Sequence, residues 1–202
     1  MTTHPGTAPD SWLVFDYGKV ISLPQAPDAV AAMAAVAGLP AATFERRYWQ
    51  YRDAYDGGCP AGRYWSQVVG RPLDDDDPLV VELDRADVAS WSRLNPDTVE
   101  FVADCAAAGH GLALLSNAPA SLAVAIEAAP WAQAFHHLLF SCRIALTKPD
   151  PAIFQVLLRQ LAAPAGQVTF VDDRPENVAA AAAAGLTALC YPQLPAPGRV
   201  TD

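Results

Sequence analysis

The sequence predicts an α/β protein with a doubly wound parallel sheet and an inserted helical segment. From about residue 97 onward, short apolar runs typical of buried strands alternate with helix-like segments of about 10–15 residues, a pattern that indicates βαβ units. One further strand-like run stands alone at residues 12–15, and no convincing strand follows between residues 25 and 91. A chain of 202 residues suits one domain, with or without a modest insertion.

The first half of the chain is predicted to be one strand followed by helices. Residues 12–15 are all apolar, as in a strand buried on both faces. Helix-like apolar spacing marks Ala29–Leu39, Ala41–Tyr55 and Ala61–Val69. The acidic block Asp74–Asp77 is either a solvated loop or a helix start.

The second half is predicted to alternate helices and strands. Asn95-Pro96-Asp97 has the features of a helix start, with proline at the first helical position and an acidic first turn. The predicted elements are a helix at 97–108 ended by Gly109, a strand at 111–115, a helix from Pro119 to about Ala129, a strand at 137–140, a helix from Pro149 or Asp150 to Leu161, a strand at 168–171, a helix at 175–184 ended by Gly185, and a strand at 187–190. The proline-rich end, Pro192–Asp202, is predicted to be a frayed tail.

Composition argues against several classes of function. A net charge of −9 without a basic stripe argues against a nucleic-acid or anionic-membrane partner. The longest apolar runs are too short to span a bilayer, and Met1–Asp10 is polar, without the apolar region of a signal peptide. The scattered residues Cys59, Cys105, Cys142 and Cys190 show no CxxC spacing, so we expect reduced thiols in a cytoplasmic protein.

Four short segments place chemically active residues directly after strand-like apolar residues. They end in Asp16, in Ser116-Asn117, in Lys148 and in Asp172-Asp173. Because all strands of an open parallel sheet end at one edge, where ligands bind, these residues are expected to converge there. The set suits phosphoryl transfer, with Asp16 as nucleophile, Ser116 and the Asn117 backbone N–H as a phosphate cradle, and Lys148 as a positive charge. The acidic pair would complete a Mg²⁺ site.

Each of these residues also has a purely structural interpretation. Asp16 alone could be a turn residue, Asp172-Asp173 could be a helix N-cap pair, and Lys148 could be an exposed lysine. Helix capping does not require Asp, Ser, Lys and Asp-Asp after four successive strands. The joint pattern therefore favours a catalytic site.

The four segments resemble the motifs of the haloacid dehalogenase-like (HAD) hydrolase superfamily. The matching stretches are Phe15-Asp16-Tyr17-Gly18-Lys19-Val20-Ile21, Leu114-Leu115-Ser116-Asn117, Lys148-Pro149-Asp150-Pro151 and Phe170-Val171-Asp172-Asp173-Arg174-Pro175-Glu176-Asn177. The resemblance covers residues 12 to about 190 and implies a Rossmann-like core at 10–21 and 92–202 with a helical cap at 22–91. The acidic pair resembles the magnesium phosphatase branch, and the subgroup looks like that of α-glucose-1-phosphatase and the N-terminal phosphatase domain of soluble epoxide hydrolase.

The resemblance also implies roles for individual residues. Asp16 would form an aspartyl-phosphate and would bind Mg²⁺ together with Asp173 and the backbone carbonyl of Gly18. Asp172 and Asn177 look like supporting residues around this metal site.

The resemblance extends to the cap, where residues 48–69 look like the cap of the same subgroup. It implies Trp49, Arg52 and Tyr55 as candidate substrate contacts. Cap aromatics more often belong to a hydrophobic core, and arginines are usually surface charges, although one could reach a phosphate or a sugar.

Gly18 departs from the family pattern. The family usually has a second Asp there, whose side chain acts as general acid and base and whose carbonyl binds magnesium. We therefore expect a preference for esters with good leaving groups, such as anomeric sugar phosphates and acyl or aryl phosphates, over primary alkyl phosphates. The alternative is that a cap residue or the substrate supplies the proton, and a comparison of matched sugar 1- and 6-phosphates would distinguish the two.

The predicted function is magnesium-dependent hydrolysis of a small phosphorylated metabolite by a monomer or homodimer. A HAD hydrolase of other chemistry, such as carbon–halogen cleavage, is the alternative enzyme. Gly18 favours a third possibility, a catalytically weak member that binds a metabolite or a partner protein. Phosphate release from a metabolite panel with added magnesium separates enzyme from binding module.

Overall fold

The computed structural model describes Pro9 and residues 11–195. These residues form a five-stranded parallel sheet in the order β3-β2-β1-β4-β5. The strands are Trp12–Phe15 (β1), Gly111–Ser116 (β2), His137–Phe140 (β3), Val168–Asp172 (β4) and Thr187–Cys190 (β5). The chain extends the sheet first to one side of β1 and then to the other, which confirms the predicted doubly wound α/β fold.

The central strand β1 is buried on both faces. Leu13 and Phe15 pack into a hydrophobic cluster on one face, and Trp12 and Val14 pack into a second cluster on the other. A parallel strand covered on both sides has no solvated face, which is why its sequence is a continuous apolar run. Asp16 is the first residue beyond these apolar layers, at the carboxyl edge of the sheet.

Residues 22–91 form a helical body beside the sheet. It contains the helices Pro27–Val36 (α1), Ala41–Gln50 (α2), Arg52–Asp56 (α3), Ala61–Val69 (α4) and Pro78–Ser90 (α5), which we call the cap. The cap encloses its own hydrophobic cluster, in which Phe44, Tyr64 and Trp65 are fully buried. The two chain segments that join it to the sheet run antiparallel and pair at Ser22 and Leu94.

Five further helices connect the strands. They are Pro96–Ala107 (α6), Ala120–Glu127 (α7), Ser141–Ile144 (α8), Pro151–Leu161 (α9) and Pro175–Ala183 (α10). Proline opens α6, α9 and α10, because its fixed φ suits the first helical position and its missing N–H has no partner to lose there. Gly109 and Gly185 follow α6 and α10 with φ of 84° and 89°, the left-handed conformation that commonly ends a helix.

Two predicted helix boundaries are resolved by the structure. The predicted helix Ala41–Tyr55 is divided, because Tyr51 leaves the helical conformation with φ −108° and ψ 0°. The acidic block is a helix start, in which the Asp77 carboxylate accepts a hydrogen bond from Leu79 N at 2.9 Å. The helices α5 and α8 themselves were not predicted from the sequence.

Within the described residues, no single helix is long and apolar enough to cross a membrane; the bent pair α1 and α2, with 97° between them, passes the same test only by length and composition. Near the end of the described chain, the hydroxyl of Tyr191 accepts a hydrogen bond from Asn95 Nδ2 at 2.7 Å. Of the segment predicted to fray, residues 196–202 lie outside the described residues, as does Asp10 at the predicted start of the core.

Candidate active site

Polar residues at the carboxyl ends of the strands line one cavity. Its volume is about 480 Å³, and its walls include Asp16 after β1, Asn117 after β2 and Asp173 after β4. The backbone N–H of Asp16 donates to Val171 O at 2.9 Å, which fixes the end of β1 against β4. The cavity lies beside β1, from which the sheet extends in both directions, and ligands bind at this position in open parallel sheets.

Lys148 connects the carboxylates of β1 and β4. Its Nζ lies 2.8 Å from Asp16 Oδ1 and 2.6 Å from Asp172 Oδ2, and its side chain is buried. Burial alone lowers the pKa of a lysine, but here the two carboxylates outweigh burial and hold the pKa of Lys148 above its usual value. Lys148 is therefore cationic and offsets negative charge that would repel an anionic ligand.

The segment before Lys148, which is strand-like in the sequence, is not a strand in the structure. Residues 145–147 form an irregular turn after α8, and Ala145 has a positive φ of 52°. The side chain of Asn117 holds Lys148 in place, because its Oδ1 accepts from Lys148 N at 2.8 Å and its Nδ2 donates to Lys148 O at 2.9 Å. One side-chain amide thus makes the two backbone hydrogen bonds that a neighbouring strand would make.

Asp16 lies where the buried layers meet the cavity. Burial raises the pKa of Asp16 to about 7, while the ammonium of Lys148 acts in the opposite direction. Ser116, predicted as part of a phosphate cradle, is buried at the last position of β2, next to Asn117 on the cavity wall. The structure therefore brings the predicted nucleophile, lysine and cradle residues to one edge of the sheet.

Asp172 is a buried anchor for its neighbours. Its Oδ1 accepts from Arg174 N and from Asn177 Nδ2, both at 2.9 Å, and its Oδ2 accepts from Lys148 Nζ at 2.6 Å. Both oxygens are occupied by donors, so Asp172 orients Lys148 and the first turn of α10. This arrangement suits the supporting role that the sequence predicts for Asp172 and Asn177.

Asp173 is more open than Asp172 and lines the cavity. Its Oδ2 lies 3.6 Å from the half-exposed ammonium of Lys19, whose backbone has a positive φ of 59°. Burial raises the pKa of Asp173, and Lys19 acts in the opposite direction. Its accessibility favours Asp173 over Asp172 as a ligand for a cation.

The carboxylates converge closely enough to hold one cation. Oxygens of Asp16, Asp172 and Asp173 lie within 4.8 Å of one another. The buried Oδ1 of Asn177 has no hydrogen-bond partner among the described residues, and a cation or its bound water would satisfy it. Because Mg²⁺ prefers hard oxygen ligands, the residues present fit a magnesium ion.

The cap forms the opposite wall through a buried ion-pair network. Arg52 lies between two carboxylates, with Nε 2.7 Å from Asp56 Oδ1 and Nη1 3.0 Å from Asp87 Oδ2. The hydroxyl of Tyr48 donates to Asp87 and accepts from Arg52 Nη1. Arg52 and Asp56, one helical turn apart on α3, both line the cavity, so the network connects the cap interior with the site.

Of the three predicted cap contacts, the structure places two at the cavity. Trp49 is 47% exposed and lines it, as does Arg52. Tyr55 is instead buried in the cap cluster, where it stacks on Tyr64 at 4.2 Å between ring centroids and donates its hydroxyl to Asp84. Tyr55 therefore supports the cap core, which was the alternative interpretation of the cap aromatics.

Sequence reasoning missed Asp56, Asp87 and Lys19. The i,i+4 spacing of Arg52 and Asp56, which pairs opposite charges on one helix face, was an available signal for Asp56. Asp87 lies on α5, which was not predicted, and the approach of Lys19 to Asp173 depends on the left-handed backbone of a loop. Neither of these two contacts leaves a local pattern in the sequence.

The parallel sheet, the cap and the carboxylate–lysine site together define a capped Rossmann-like enzyme. A family model described as haloacid dehalogenase-like hydrolase matches residues 14–185. The chain therefore belongs to the HAD-like hydrolases, as its motifs suggested. No curated protein matches the sequence.

Solved structures share the fold at low sequence identity. A HAD-like family hydrolase from Porphyromonas gingivalis is 20% identical, with a TM-score of 0.68 over 91% of each chain. A HAD family enzyme from Bacteroides thetaiotaomicron, in complex with magnesium and inorganic phosphate, is 15% identical, with a TM-score of 0.71 over 94% of this chain and 96% of that one. A 2-haloacid dehalogenase from Pseudomonas syringae pv. Tomato DC3000 is 20% identical, with a TM-score of 0.67 over 90% of this chain and 86% of that one. These similarities show a common fold, which is shared by a 2-haloacid dehalogenase and by an enzyme that binds magnesium and inorganic phosphate.

Proposed function

We propose that the protein is a magnesium-dependent phosphatase that hydrolyses a small phosphorylated metabolite. The observation that carries this proposal is the cluster of Asp16, Asp172 and Asp173 within 4.8 Å, beside the buried ammonium of Lys148. A carboxylate cluster suits a hard cation, and a cation next to an ammonium suits a phosphate dianion. The magnesium and phosphate bound to the Bacteroides thetaiotaomicron enzyme, which shares the fold, add support.

In this mechanism Asp16 attacks the phosphorus of the ester and forms an aspartyl-phosphate, which water then hydrolyses. Lys148 holds Asp16 by one oxygen and neutralises charge on the phosphoryl group. The Ser116 hydroxyl and the Asn117 backbone N–H bind phosphoryl oxygens at the end of β2. Positioning and charge neutralisation are the main sources of catalysis in phosphoryl transfer.

Asp16, Asp173 and the backbone carbonyl of Gly18 would hold the magnesium ion. When bound, the ion supplies positive charge to the phosphoryl oxygens. Asp172 keeps Lys148 and Asn177 in place around these ligands. The cap covers the cavity, excludes bulk water and selects the metabolite through Trp49 and Arg52.

Magnesium is expected to stabilise the folded protein and to be required for phosphate release. A ligand that binds only the folded state raises the midpoint of thermal unfolding, so a Mg²⁺ titration of chelator-treated protein should show a saturable upward shift. Asp173→Ala should remove most of this shift, whereas Asp104→Ala, at an exposed carboxylate of α6, should leave it unchanged. Full phosphatase activity in excess chelator, or an unchanged shift in Asp173→Ala, would contradict the assignment.

Carbon–halogen hydrolysis is the second candidate function, because a 2-haloacid dehalogenase shares the fold with a TM-score of 0.67. The test is one panel of sugar phosphates, other phosphomonoesters and 2-haloacids, each assayed with Mg²⁺ and with chelator. Magnesium-dependent phosphate release supports the phosphatase. Halide release that is insensitive to chelator would instead identify a dehalogenase. Turnover of none of the compounds would favour a metabolite- or protein-binding member of the family.

A further inference from the structure

The cap also places carboxyl groups at the cavity, and one of them is buried. Asp56, the last residue of α3, lines the same cavity as Asp16, and 12% of its side chain remains accessible. Its Oδ1 accepts from Arg52 Nε at 2.7 Å, and its Oδ2 accepts no hydrogen bond from the described residues. One oxygen of Asp56 is thus fixed by the cap, and the other is free to bind a ligand or a proton.

Asp56 shares its cation with a second carboxyl group. Arg52 also donates to both oxygens of Asp87, at 3.1 and 3.0 Å, so two carboxyl groups face one guanidinium. Asp87 is fully buried and additionally accepts from Tyr48, whereas Asp56 has fewer donors and reaches the cavity. The excess negative charge favours binding of one proton, and Asp56 is the member that can exchange it with a ligand. In agreement, burial raises the pKa of Asp56 to about 7, although Arg52 acts in the opposite direction.

Asp56 is also fixed to the sheet domain, which carries the nucleophile. The hydroxyl of Ser141, on α8, donates to the backbone carbonyl of Asp56 and accepts from Ala118 N at 2.9 Å. Ala118 follows Asn117, whose side chain holds Lys148 by two hydrogen bonds. A continuous series of hydrogen bonds and adjacent residues therefore connects the position of Asp56 with the position of the lysine that contacts Asp16.

Other cavity groups are less suitable as proton donors. The hydroxyl of Tyr17 already donates to Trp91 O at 2.8 Å, and burial raises its pKa to about 12. The ammonium of Lys148 is held by two carboxylates. Asp53, which is exposed on α3, is the other cap carboxyl at the cavity and is therefore the alternative candidate for the proton donor.

We propose that Asp56 is the general acid and base of the hydrolysis, in place of the side chain that Gly18 lacks. This inference rests on the proposed phosphatase function. Of the two proton sources left open by the sequence, a cap residue or the substrate, this proposal assigns the cap residue. The leaving-group preference expected from Gly18 alone is then absent from the wild type and appears when Asp56 is changed.

Asp56 gives up one proton in the first step of the reaction and regains one in the second. In the first step a bond forms between Asp16 and phosphorus, the bond from phosphorus to the ester oxygen breaks, and the proton of Asp56 passes to that oxygen, which leaves as an alcohol. In the second step the Asp56 carboxylate takes a proton from water as the water oxygen bonds to phosphorus and the Asp16–phosphorus bond breaks. Inorganic phosphate leaves, and both carboxyl groups return to their starting states.

The test is Asp56→Asn assayed on esters of different leaving groups. The amide oxygen can still accept from Arg52, so the geometry of the network is kept while the proton is lost. On glucose 6-phosphate, an alkyl ester, the rate should fall by about 10²–10⁴-fold, the usual contribution of general acid catalysis. On p-nitrophenyl phosphate, whose leaving group needs no acid, a burst of nitrophenol close to the wild-type rate should be followed by slow turnover, with phosphorylated protein detected by mass spectrometry.

A rescue experiment separates proton transfer from a structural effect. A Cβ at Gly18 would meet only Trp91, at 3.7 Å, and the φ of Gly18 is −64°, so neither the backbone nor the space at Cβ opposes a side chain there. Gly18→Asp in the Asp56→Asn background should restore much of the alkyl-phosphatase activity. Gly18→Asn in the same background, equal in size but without the acid, should not.

The protonation of Asp56 has a readout that does not depend on activity. A folded-state pKa near 7, above the ordinary 3.8, means that folding binds a proton between about pH 4 and pH 7, so this group lowers stability as the pH rises through that window. The unfolding temperature of Asp56→Asn minus that of the wild type should therefore be larger at pH 8 than at pH 5. The charged and titratable groups around Asp56, namely Arg52 and Asp53 on α3, Tyr64 on α4, Asp87 on α5 and Cys142 on α8, are present in both proteins.

Three results would overturn the proposal while leaving the phosphatase function intact. The first is an equal loss on both esters without accumulation of phosphorylated protein, and the second is full activity of Asp56→Asn on glucose 6-phosphate. The third is a leaving-group-dependent loss in Asp53→Asn instead of Asp56→Asn. If the wild type hydrolyses none of the phosphate esters in the panel while Mg²⁺ is bound, the proposed function fails together with this inference.

Discussion

Asp16→Asn is expected to abolish turnover of every phosphate ester. An amide is nearly isosteric with a carboxylate but is a poor nucleophile, so the variant cannot form the aspartyl-phosphate. Loss of a covalent nucleophile lowers kcat by roughly 10⁴-fold or more, which corresponds to about 5.5 kcal/mol of transition-state stabilisation. Phosphate release under saturating substrate and Mg²⁺ measures the loss, and mass spectrometry of acid-quenched protein should show no phosphorylated species.

The control for this variant is Asp104→Asn, the same change at an exposed position of α6 outside the cavity wall. Its rate should remain within about twofold of the wild type, because surface substitutions away from special features have small effects. Retention of most activity by Asp16→Asn, or a phosphorylated species in that variant, would refute the covalent mechanism. Both variants should remain folded under the assay conditions if the loss is chemical.

Lys148→Met is expected to remove both activity and stability. The substitution leaves Asp16 and Asp172 facing each other without the ammonium that lies within 2.8 Å of both, and the Asp172 carboxylate is fully buried. Removing one partner of a buried ion pair typically lowers the free energy of unfolding by about 3–5 kcal/mol. Phosphatase activity should fall at least about 10³-fold, because both the orientation of Asp16 and the neutralisation of the phosphate are lost.

Lys19→Met is the matched comparison for stability, because its ammonium also approaches a carboxylate of the cavity. That contact is 3.6 Å long, and the lysine side chain is half-exposed. Exposed ion pairs contribute about 0–1 kcal/mol, so chemical denaturation should show a much smaller change for Lys19→Met than for Lys148→Met. Similar losses in the two variants would mean that burial of Lys148 is not what makes its ion pairs important.

The sheet and its edge were predictable because they depend on local pattern and on a rule of topology. A parallel strand buried on both faces favours a nearly continuous apolar run, and residues 12–15, 111–115 and 168–171 have one, interrupted by a polar side chain only at Thr169. The polar residue that follows each run must then lie at the common carboxyl edge. For this reason Asp16 and Asp173 could be placed in one site before any contact between them was known.

The position of Lys148 was predicted for a reason that the structure corrects. The apolar residues before it suggested a strand, whereas a turn carries the lysine and the side chain of Asn117 holds it. A side-chain amide that substitutes for a strand neighbour has no periodicity, so sequence reasoning could not find it. Asn117 was accordingly assigned only a backbone role toward phosphate.

The sequence by itself determined the fold class, the family and which polar residues follow β1, β2 and β4 at the carboxyl edge of the sheet. Only the tertiary structure decided which cap residues line the cavity: the helix is broken at Tyr51, and α3 carries Arg52 and Asp56 on the cavity wall while Tyr55 lies in the cap core. It also decided that Asp56 and Asp87 share one guanidinium, because this contact joins α3 and α5. Local patterns fix what depends on neighbours along the chain, whereas burial and charge sharing depend on residues that only folding brings together.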